Sequence, residues 1–504
     1  MKRPAGFLEQ LPIQKNLRDG VYLSKSLGGK MSVIMSKDGG GDIPGPSPVP
    51  VLGWMPELFR FAFNPLHTLE NLRKKYGDVV RLGYGKASGV IVFSPEYNRT
   101  ILRDPSVFYS YNLDFIPVPF PRDHAVSRVM NSMPFLNGPK HADHRSYMLP
   151  YFHRNFIVRH HEACVEVTRR KIDSWKTGGE IKLRDEMEQL AMWLATKPIL
   201  GLDPEKEGEA LGERLEQSLK LMFSPFSMLF PYNIPGFPFH RLLKSAEKLE
   251  GTVKEIIALR KAKGVDGDDI LSALIRLNRE DPARMSESDI IGHTIMFRGG
   301  YSPNGMALYW TIFLLSQHPE ALKKVLDELD QATGGKDPTP ESVEKLPYLE
   351  GVLKETMRLI PAGVWTARYA MEPFQLGAYK LQKGTWVMLS AYVTHRIPEI
   401  FPDPYRFKPE RWQDIHPSSY EFMSFSAGPR YCIGQPLAMM QLKIALLMLL
   451  QRFTFTLKPG VRVDCAGLNS IRPKNGLPMI VTERRDIPVP ARFEGNIHQI
   501  VHFA

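Results

Sequence analysis

Cys432 is the residue whose setting most clearly predicts chemistry. It lies in the segment 425–434, between Gly428 and Gly434 and directly before an apolar stretch, residues 436–453, that predicts a long helix. Glycines let a backbone approach a flat group closely, and the free amide groups of such a loop can stabilise a thiolate. Arg430 adds a positive charge two residues before the thiol. A soft thiolate with one open coordination direction suits haem iron and favours O–O cleavage, so the segment predicts oxidation chemistry.

The pattern of this segment extends the prediction. It places Phe425, Gly428, Arg430, Cys432 and Gly434 at spacings that resemble the haem-ligand signature Phe-x-x-Gly-x-Arg-x-Cys-x-Gly of the cytochromes P450. The resemblance implies haem b (iron protoporphyrin IX) as cofactor, with Cys432 as the axial metal ligand and with Phe425, Arg430 and Gly434 beside the haem. The alternative is a small buried cysteine in a turn before a core helix, which is a common setting for a free thiol.

A second group of residues resembles the same family in order and spacing. Glu355 and Arg358 are three apart and so share one helix face, where they can pair. Alone, such a pair is common on solvated helices. Downstream, the segment 395–412 resembles the family's Pro-Glu-Arg meander. The resemblance implies that Arg411 joins Glu355 and Arg358 in a buried structural network behind the haem.

Several basic side chains could neutralise the two propionates of a haem. His141 and Arg145 are four apart, which places them on one face of a predicted helix where they can hold a carboxylate together. The resemblance implies the same role for Arg368 and for Arg430. Ordinary surface or strand-edge charges are the alternative. His144 lies outside this pattern and is expected to be exposed.

The segment 286–317 predicts the helix on the oxygen side of the haem, and it departs from the family. Gly299 and Gly300 are small enough to leave room above the iron. The family's acid and alcohol, however, are replaced by Ser302 and Pro303, with Asn304 next. Proline cannot donate a hydrogen bond to the Gly299 carbonyl, so we expect it to open the helix and leave a groove for oxygen or water. These five residues are the candidate catalytic positions.

Three outcomes are compatible with this departure. Ser302, Asn304 and ordered water could deliver protons, because hydroxyls and amides can form a hydrogen-bonded chain. The substrate could instead supply a polar group of its own. In the third outcome O2 is not activated, and the haem uses or rearranges a peroxide. Arg298, one turn before Ser302, could hold a substrate carboxylate or lie at the helix flank, whereas His293 is expected to be packed or partly exposed, away from the iron.

Apolar and aromatic residues are dense in four segments that line the substrate cavity of relatives. These segments are residues 109–137, 221–239, 361–366 and 468–471. The predicted substrate contacts within them are Phe115, Phe226, Trp365 and Ile471. Such a cleft favours a sizeable hydrophobic ligand, for example a terpenoid, a steroid or a fatty acid. Each side chain could alternatively pack a loop or contact a membrane surface.

The composition narrows the classes of partner. The 504 residues carry a formal net charge of +11, yet no basic cluster indicates a nucleic-acid-binding surface. The three cysteines, Cys164, Cys432 and Cys465, fit no disulfide framework and are typical of a reducing compartment. No nicotinamide or flavin fingerprint occurs, so electrons would come from a separate protein. The resemblance implies an acidic ferredoxin, flavodoxin or reductase.

The sequence also predicts where the protein resides and how it is divided. No apolar run reaches the roughly 18 residues that a transmembrane helix needs, and residues 1–30 lack the apolar region of a secretory signal. We therefore expect a soluble, cytoplasmic monomer, with peripheral membrane contact left open. Residues 1–42 end in a glycine-rich run that predicts a flexible leader, and residues 43–504 are predicted to form a single catalytic domain.

The elements that would position these residues are mainly helical. Two β-rich runs, residues 79–82 and 90–93, predict a hairpin. Helices are predicted over residues 69–76, 144–175, 184–200, 208–222, 241–263, 268–277, 286–317, 319–332 and 343–359. No repeat of fixed period occurs. The predicted fold class is mainly α with a small β-sheet region (α+β), and it resembles the cytochrome P450 fold with haem between the oxygen-side helix and the helix after Cys432.

Together these patterns predict a haem-thiolate monooxygenase that inserts one oxygen atom from O2 into a hydrophobic substrate. Two alternatives remain open. One is a peroxide-using peroxygenase, or a haem-thiolate isomerase or dehydratase, that needs no O2 activation. The other is a non-catalytic haem-binding sensor or carrier with a degraded oxygen side.

Overall fold

The computed structural model describes residues 43–49, 55–83, 89–112, 120–222, 227, 231–262, 264–484 and 487–503. The predicted leader, residues 1–42, lies outside these ranges. So do two of the predicted substrate contacts, Phe115 and Phe226. Arg298 belongs to a described helix, but its side chain is outside what the structure describes.

Helices dominate the first half of the described chain. They are α1 (Met55–Phe63), α2 (Pro65–Tyr76), α3 (Pro95–Arg103), α4 (Ala125–Val129), α5 (Gly138–Met148), α6 (Arg154–Arg159), α7 (His161–Asp173), α8 (Leu183–Leu200) and α9 (Glu209–Met222). The single helix predicted over residues 144–175 is wrong, because that stretch is divided among α5, α6 and α7. Pro150 lies in the 3-10 turn between α5 and α6, and it has no N–H with which to continue an α-helix.

The second half contains the long helices that form the core. They are α10 (Pro238–Ala262), α11 (Ile270–Glu280), α12 (Glu287–Ile295), α13 (Phe297–Gln317), α14 (Pro319–Thr333), α15 (Pro340–Glu344), α16 (Pro347–Leu359), α17 (Ala391–Thr394), α18 (Arg411–Asp414) and α19 (Gln435–Arg452). The helix α13 packs against α8, α16 and α19. Its Trp310 and Phe313 are completely buried, so burial of apolar surface holds α13 at the centre of the molecule.

The oxygen-side segment is divided at Met296 rather than at Pro303. The helix α12 ends before Met296, and the Gly299 amide donates to the Met296 carbonyl at 2.8 Å, in a turn tighter than an α-helix. The pair Gly299 and Gly300 weakens helical backbone at this point. The helix α13 continues across Pro303. The proline therefore does not end the helix, and the local opening expected beside it, where Pro303 lines a cavity, stays a prediction.

Strands form a small sheet region beside the helices. They are β1 (Val79–Leu82), β2 (Gly89–Val92), β3 (Phe108–Ser110), β4 (Glu180–Lys182), β5 (Thr366–Ala370), β6 (Phe374–Leu376), β7 (Tyr379–Leu381), β8 (Trp386–Leu389), β9 (Phe453–Leu457), β10 (Cys465–Ala466), β11 (Arg472–Pro473) and β12 (Pro478–Glu483). The largest described sheet has the order β1-β2-β8-β5-β3. The predicted hairpin is confirmed, because β1 pairs antiparallel with β2 and Val79 lies opposite Val92.

The apolar helices of this chain pack inside the protein. Leu446, Leu447 and Leu449 of α19 are completely buried. Among the residues that the structure describes, we find no helix with the length and apolar character that a membrane span requires.

A buried ion network joins α16 to the segment that follows β8. Both Glu355 and Arg358 are fully buried, and the Arg358 guanidinium donates to both Glu355 carboxylate oxygens at 2.8 and 2.9 Å. Arg411 Nε donates to Glu355 Oε1 at 3.0 Å, and the Trp412 indole donates to Oε2 at 3.1 Å. The remaining guanidinium donors of Arg358 reach backbone carbonyls, including that of His395 at 2.9 Å. Because each charge is paired and hydrogen-bonded, the network tolerates complete burial.

His395 makes the stability of this region sensitive to acid. Its Nε2 accepts the Met423 amide at 2.8 Å, and burial, reinforced by the Arg358 charge, lowers its pKa from 6.5 to about 3. An unfolded histidine gains a proton below pH 6.5 whereas the native ring stays neutral to about pH 3, so stability is lost as the pH falls between these values. We expect the His395 ring alone to contribute a slope of about 1.4 kcal/mol per pH unit in this window.

The measurement is urea unfolding of the wild type and of His395→Asn at several pH values between 7 and 4. The variant is expected to be less stable near neutrality but to lose less stability on acidification. The exposed His416 provides a control, His416→Asn, whose curve is expected to parallel the wild type. Parallel curves for His395→Asn and the wild type would contradict the assignment.

Candidate functional site

The loop that presents Cys432 depends on glycine. Gly428 has φ +69°, and a Cβ at this position would lie 2.2 Å from the Leu102 carbonyl oxygen, so no other residue fits without moving α3. The Cys432 amide donates to the Phe425 carbonyl at 2.9 Å and closes the loop. Gly434 follows, and α19 begins at Gln435. The thiol is therefore held at the N-terminus of a long helix, where the helix dipole favours negative charge.

The Cys432 thiol faces a cavity rather than bulk solvent. Its side chain is exposed to that space, while the surrounding protein still raises its pKa through burial. Hydrogen bonds from the Gly434 and Gln435 backbone and the charge of Arg145 act in the opposite direction and stabilise a thiolate. These donors fit a sulfur that carries negative charge as a metal ligand.

Four basic side chains line the same cavity as the thiol. They are His141 and Arg145 on α5, Arg368 on β5 and Arg430 in the cysteine loop. Arg368 and Arg430 are so desolvated that their pKa values fall to about 10 and about 9. Burial, reinforced by Arg430, Arg145 and Arg368, lowers the pKa of His141 to about 4. No carboxylate is among the described lining residues, so within the described part of the chain this cluster has no negative counter-charge on the cavity wall.

Two adjoining cavities meet at Cys432. The first cavity, of about 340 Å³, contains the basic cluster, and the second, of about 460 Å³, extends along α13. Both are lined by Gly299 and Gly300 as well as by Cys432. A Cβ on Gly300 would approach Ile199 Cδ1 to 3.1 Å, and one on Gly299 would point into space with Met296 Cγ 4.0 Å away. The two glycines therefore leave this part of the cavity wall without side chains.

The other oxygen-side residues face in different directions. Pro303 and Asn304 line the second cavity, and the Asn304 amide donates to Gln441 Oε1 at 3.2 Å. Ser302 lines neither cavity. Its hydroxyl accepts a hydrogen bond from Arg472 at 3.0 Å, and Arg472 in turn pairs with Glu188. The predicted proton carrier Ser302 is thus buried against Arg472, which pairs with Glu188 of α8, and is outside the described lining of both cavities.

The two predicted substrate contacts that the structure describes lie in different surroundings. Trp365 lines the second cavity, and its indole donates to the Leu468 carbonyl at 3.4 Å. Ile471 is packed in the core and only 2% exposed, with its carbonyl bonded to the Trp310 indole. The hydrogen bond to α13 directs this segment into the core, Ile471 lines neither cavity, and its contact with substrate stays a prediction.

Sequence reasoning missed two residues at this site. His293 lines the first cavity and is 2% exposed. His144, expected to be exposed, is 1% exposed, and its Nδ1 lies 2.8 Å from His293 Nε2. The error arose because His293 of α12 packs onto the His144 ring. The sequence offered one signal for these two histidines. Each belongs to a predicted helix that also carries candidate site residues.

The residues present fit a haem. The paired cavities accommodate a flat group between the thiol and the two glycines, and the uncompensated cations match a dianionic group that bears two carboxylates. The thiolate-stabilising amides of Gly434 and Gln435 suit an iron ligand. The fit to haem thus rests on three separate features, which are the cavities, the cations and the amides beside the sulfur.

Comparison with known proteins defines the class. The family model described as Cytochrome P450 matches residues 43–471, and the chain therefore belongs to the cytochrome P450 family. It is an oxidoreductase of the monooxygenase type, and family membership implies a haem cofactor. The predictions of family, enzyme class, cofactor and fold class are confirmed.

Two bacterial enzymes are among the individual relatives of this chain. The chain is 29% identical to cyclooctat-9-en-7-ol 5-monooxygenase of Streptomyces melanosporofaciens, over 82% of this chain and 90% of that protein. It is 26% identical to pentalenene oxygenase of Streptomyces avermitilis, over 87% and 97% of the two chains. The solved structure of retinoic acid bound cyanobacterial CYP120A1 has the same fold, with a TM-score of 0.75 and 21% identity over 87% of this chain and 99% of that one.

Proposed function

We propose that Cys432 holds haem iron between the two cavities and that the enzyme inserts one oxygen atom from O2 into an apolar, terpenoid-like substrate. Electrons come from a separate acidic redox protein, and residues 43–504 act as one catalytic domain. The observation that carries the proposal is that a thiol, three arginines and the glycine pair of α13 line one cavity.

Each part of this site has a distinct task. Haem supplies the activation of oxygen when it is bound. Arg145, Arg368 and Arg430 would bind its propionates, with His141 as a neutral hydrogen-bonding neighbour. The amides of Gly434 and Gln435 moderate the negative charge of the sulfur. Gly299 and Gly300 leave room for substrate on the opposite wall.

An apolar substrate is supported by the wall of the second cavity. Its described lining includes Met306, Ala307, Met357, Ile360 and Leu389, and its acceptors and donors are few. Such a surface binds ligands mainly through apolar contact. Two of the relatives are named for oxidation of a cyclooctatenol and of pentalenene, which favours a terpenoid over the steroid and fatty-acid alternatives.

The net positive charge of the chain favours an acidic redox partner. The sequence carries a net charge of +11, which attracts an acidic protein and speeds its association at low ionic strength. A ferredoxin or flavodoxin has the required negative surface. The rate of the first electron transfer is accordingly expected to fall as salt is raised.

A second candidate function is oxygen insertion from hydrogen peroxide. The observation that favours it is the oxygen-side helix, where Ser302 is turned toward Arg472 and Pro303 has no hydroxyl. Proton delivery is needed when O2 is the oxidant, but peroxide already carries the protons and electrons. The two candidates share Cys432 and differ in their oxidant.

Isotope labelling separates these candidates. Purified holoenzyme is incubated with pentalenene or cyclooctat-9-en-7-ol under ¹⁸O2 with NADPH, ferredoxin and ferredoxin reductase, and in parallel with H2¹⁸O2 alone. We expect products that carry one ¹⁸O atom in the first incubation. Labelled product from peroxide only would support the second candidate. Absence of labelled product from both, across a wider terpenoid, steroid and fatty-acid panel, would contradict both and favour a haem carrier.

A further inference from the structure

The carbonyl of Leu194 lacks its usual partner within helix α8. In an α-helix this carbonyl would accept the amide of the residue four positions later. That residue is Pro198, which lies inside α8 and has no N–H. Gln441 of α19 supplies the missing donor, because its Nε2 donates to the Leu194 carbonyl at 2.8 Å. The Gln441 side chain is 2% exposed, so this bond is shielded from bulk water.

The bond to Leu194 fixes the direction of the Gln441 amide. A backbone carbonyl can only accept, so the atom of Gln441 that meets it has to be the nitrogen. The oxygen of the same amide accepts from Nδ2 of Asn304 in α13 at 3.2 Å. Reversal of the Asn304 amide would place two oxygens against each other. Asn304 is therefore held with its nitrogen toward Gln441.

The carbonyl oxygen of Asn304 is left to accept a further hydrogen bond. No described residue donates to this Oδ1, and it is not among the buried unpartnered atoms of the described chain, so it borders open space. Asn304 lines the second cavity together with Cys432. The other α13 residues described in that lining have no amide or hydroxyl side chain, and they are Gly299, Gly300, Pro303, Met306 and Ala307.

Oxygen insertion from O2 requires protons in this cavity. Two electrons and two protons are consumed for each oxygen atom inserted, and the second oxygen atom leaves as water. Ser302 is bonded to Arg472 outside the described lining of both cavities, and Pro303 has no hydroxyl. The Asn304 amide does not give up a proton near neutral pH. Its oxygen can, however, hold a water that donates one hydrogen to the amide and keeps the second free.

We propose that Gln441 is a positioning residue for proton delivery. It holds Asn304 with its oxygen toward the second cavity, where that oxygen binds the water from which protons pass to the oxygen being reduced. The protons are replaced from solvent, and the electrons come from the separate redox protein. This inference rests on the proposed use of O2, and it gives a residue of the helix after Cys432 a part in proton supply.

The first test compares O2 and H2O2 as oxidants in two variants. Gln441→Leu removes both hydrogen bonds of that amide, and Asn304→Leu removes the water-binding oxygen, while each keeps a side chain of similar size. Holoenzyme is supplied with pentalenene or cyclooctat-9-en-7-ol. With O2, NADPH, ferredoxin and its reductase, we expect product per NADPH to fall roughly tenfold in each variant, with H2O2 released instead. The loss is expected to be much smaller with H2O2 as oxidant, because peroxide carries its own protons.

The double variant tests whether Gln441 acts through Asn304. If Gln441 only positions Asn304, Gln441→Leu should cause no further loss of product per NADPH once residue 304 is already leucine. Losses that multiply in the double variant would show that the two side chains act independently, and would overturn the positioning role.

Gln451 provides a matched control on the same helix. Its Nε2 donates to Thr333 Oγ1 at 2.7 Å, and it is outside the described lining of both cavities. Gln451→Leu should keep the wild-type yield with both oxidants. Equal losses with O2 and H2O2 in the two cavity variants, or unchanged yields with O2, would overturn the proposal and leave the O2 function standing. If the wild type forms no product from O2, the proposed use of O2 fails and this inference fails with it.

The second test needs no turnover. In the ferrous carbon monoxide complex, a hydrogen bond to the gas lowers its C–O stretching frequency, so the infrared spectrum reports a water held beside it. We expect the frequency to rise by a similar amount in Gln441→Leu, Asn304→Leu and the double variant, and to stay at the wild-type value in Gln451→Leu. Asn304→Leu keeps the bond of Gln441 to Leu194, so it carries the test if Gln441→Leu folds poorly. An unchanged frequency in Asn304→Leu would overturn the proposal.

Discussion

Replacement of Cys432 by serine is expected to abolish oxygen insertion while the protein remains folded. A serine hydroxyl is nearly isosteric but does not ionise near neutral pH, so it cannot supply the anionic sulfur that an iron–thiolate bond needs. The loop should survive, since it is closed by the Cys432 amide and by Gly428 rather than by the thiol. We expect turnover to fall on the order of 10³-fold or more, as when other groups acting directly on a reaction are removed.

The measurement combines turnover with the spectrum of the reduced carbon monoxide complex. In Cys432→Ser the red-shifted Soret band of thiolate-bound haem should be absent. Cys465 offers a control of the same residue type, because it is 8% exposed and lines neither cavity, and burial raises its pKa to about 12. Cys465→Ser should keep both the band and the turnover. A thiolate-type band in Cys432→Ser would show that another residue binds the iron.

Replacement of Glu355 by glutamine is expected to have the largest effect on stability. The change removes the one negative charge between Arg358, which is fully buried, and Arg411, which is 8% exposed. Both guanidinium groups would then lack a counter-charge in a region where water cannot replace it. Breaking a buried pair by removing one partner typically costs about 3–5 kcal/mol, so the free energy of unfolding should fall by about this amount.

Urea unfolding of the variant and of a surface control measures the effect. Arg154 and Glu344 form a pair of the same chemistry at 2.6 Å, but their side chains are 71% and 56% exposed. Glu344→Gln is therefore expected to cost less than about 1 kcal/mol. A similar loss in the two variants would contradict the view that burial makes the Glu355 network essential.

Much of the site follows from short-range sequence patterns. The cysteine loop requires glycine and a thiol at fixed spacing, and these residues are contiguous in the chain. The position of His141 and Arg145 on one helix face follows from the helical period alone. The hairpin of β1 and β2 is equally local. Such features could be predicted because the residues concerned are neighbours along the chain, or because one helix brings them together.

The surroundings of Ser302 and His144 were decided by contacts between distant segments. Ser302 occupies the predicted helix, yet its hydroxyl bonds to Arg472, which is 170 residues away. His144 carries no local signal of burial and becomes buried only because His293 of another helix pairs with it. In each instance the deciding energy came from a partner that the local pattern does not contain.

The sequence by itself determined the thiol loop, the family, the mainly helical class and the types of residue that surround the cofactor. Only the tertiary structure decided which way Ser302 faces, that Ile471 belongs to the core, and that His293 pairs with His144. The physical reason is that helical period and loop composition act over a few residues, whereas burial and hydrogen bonding of a side chain are set by whichever segment packs across it.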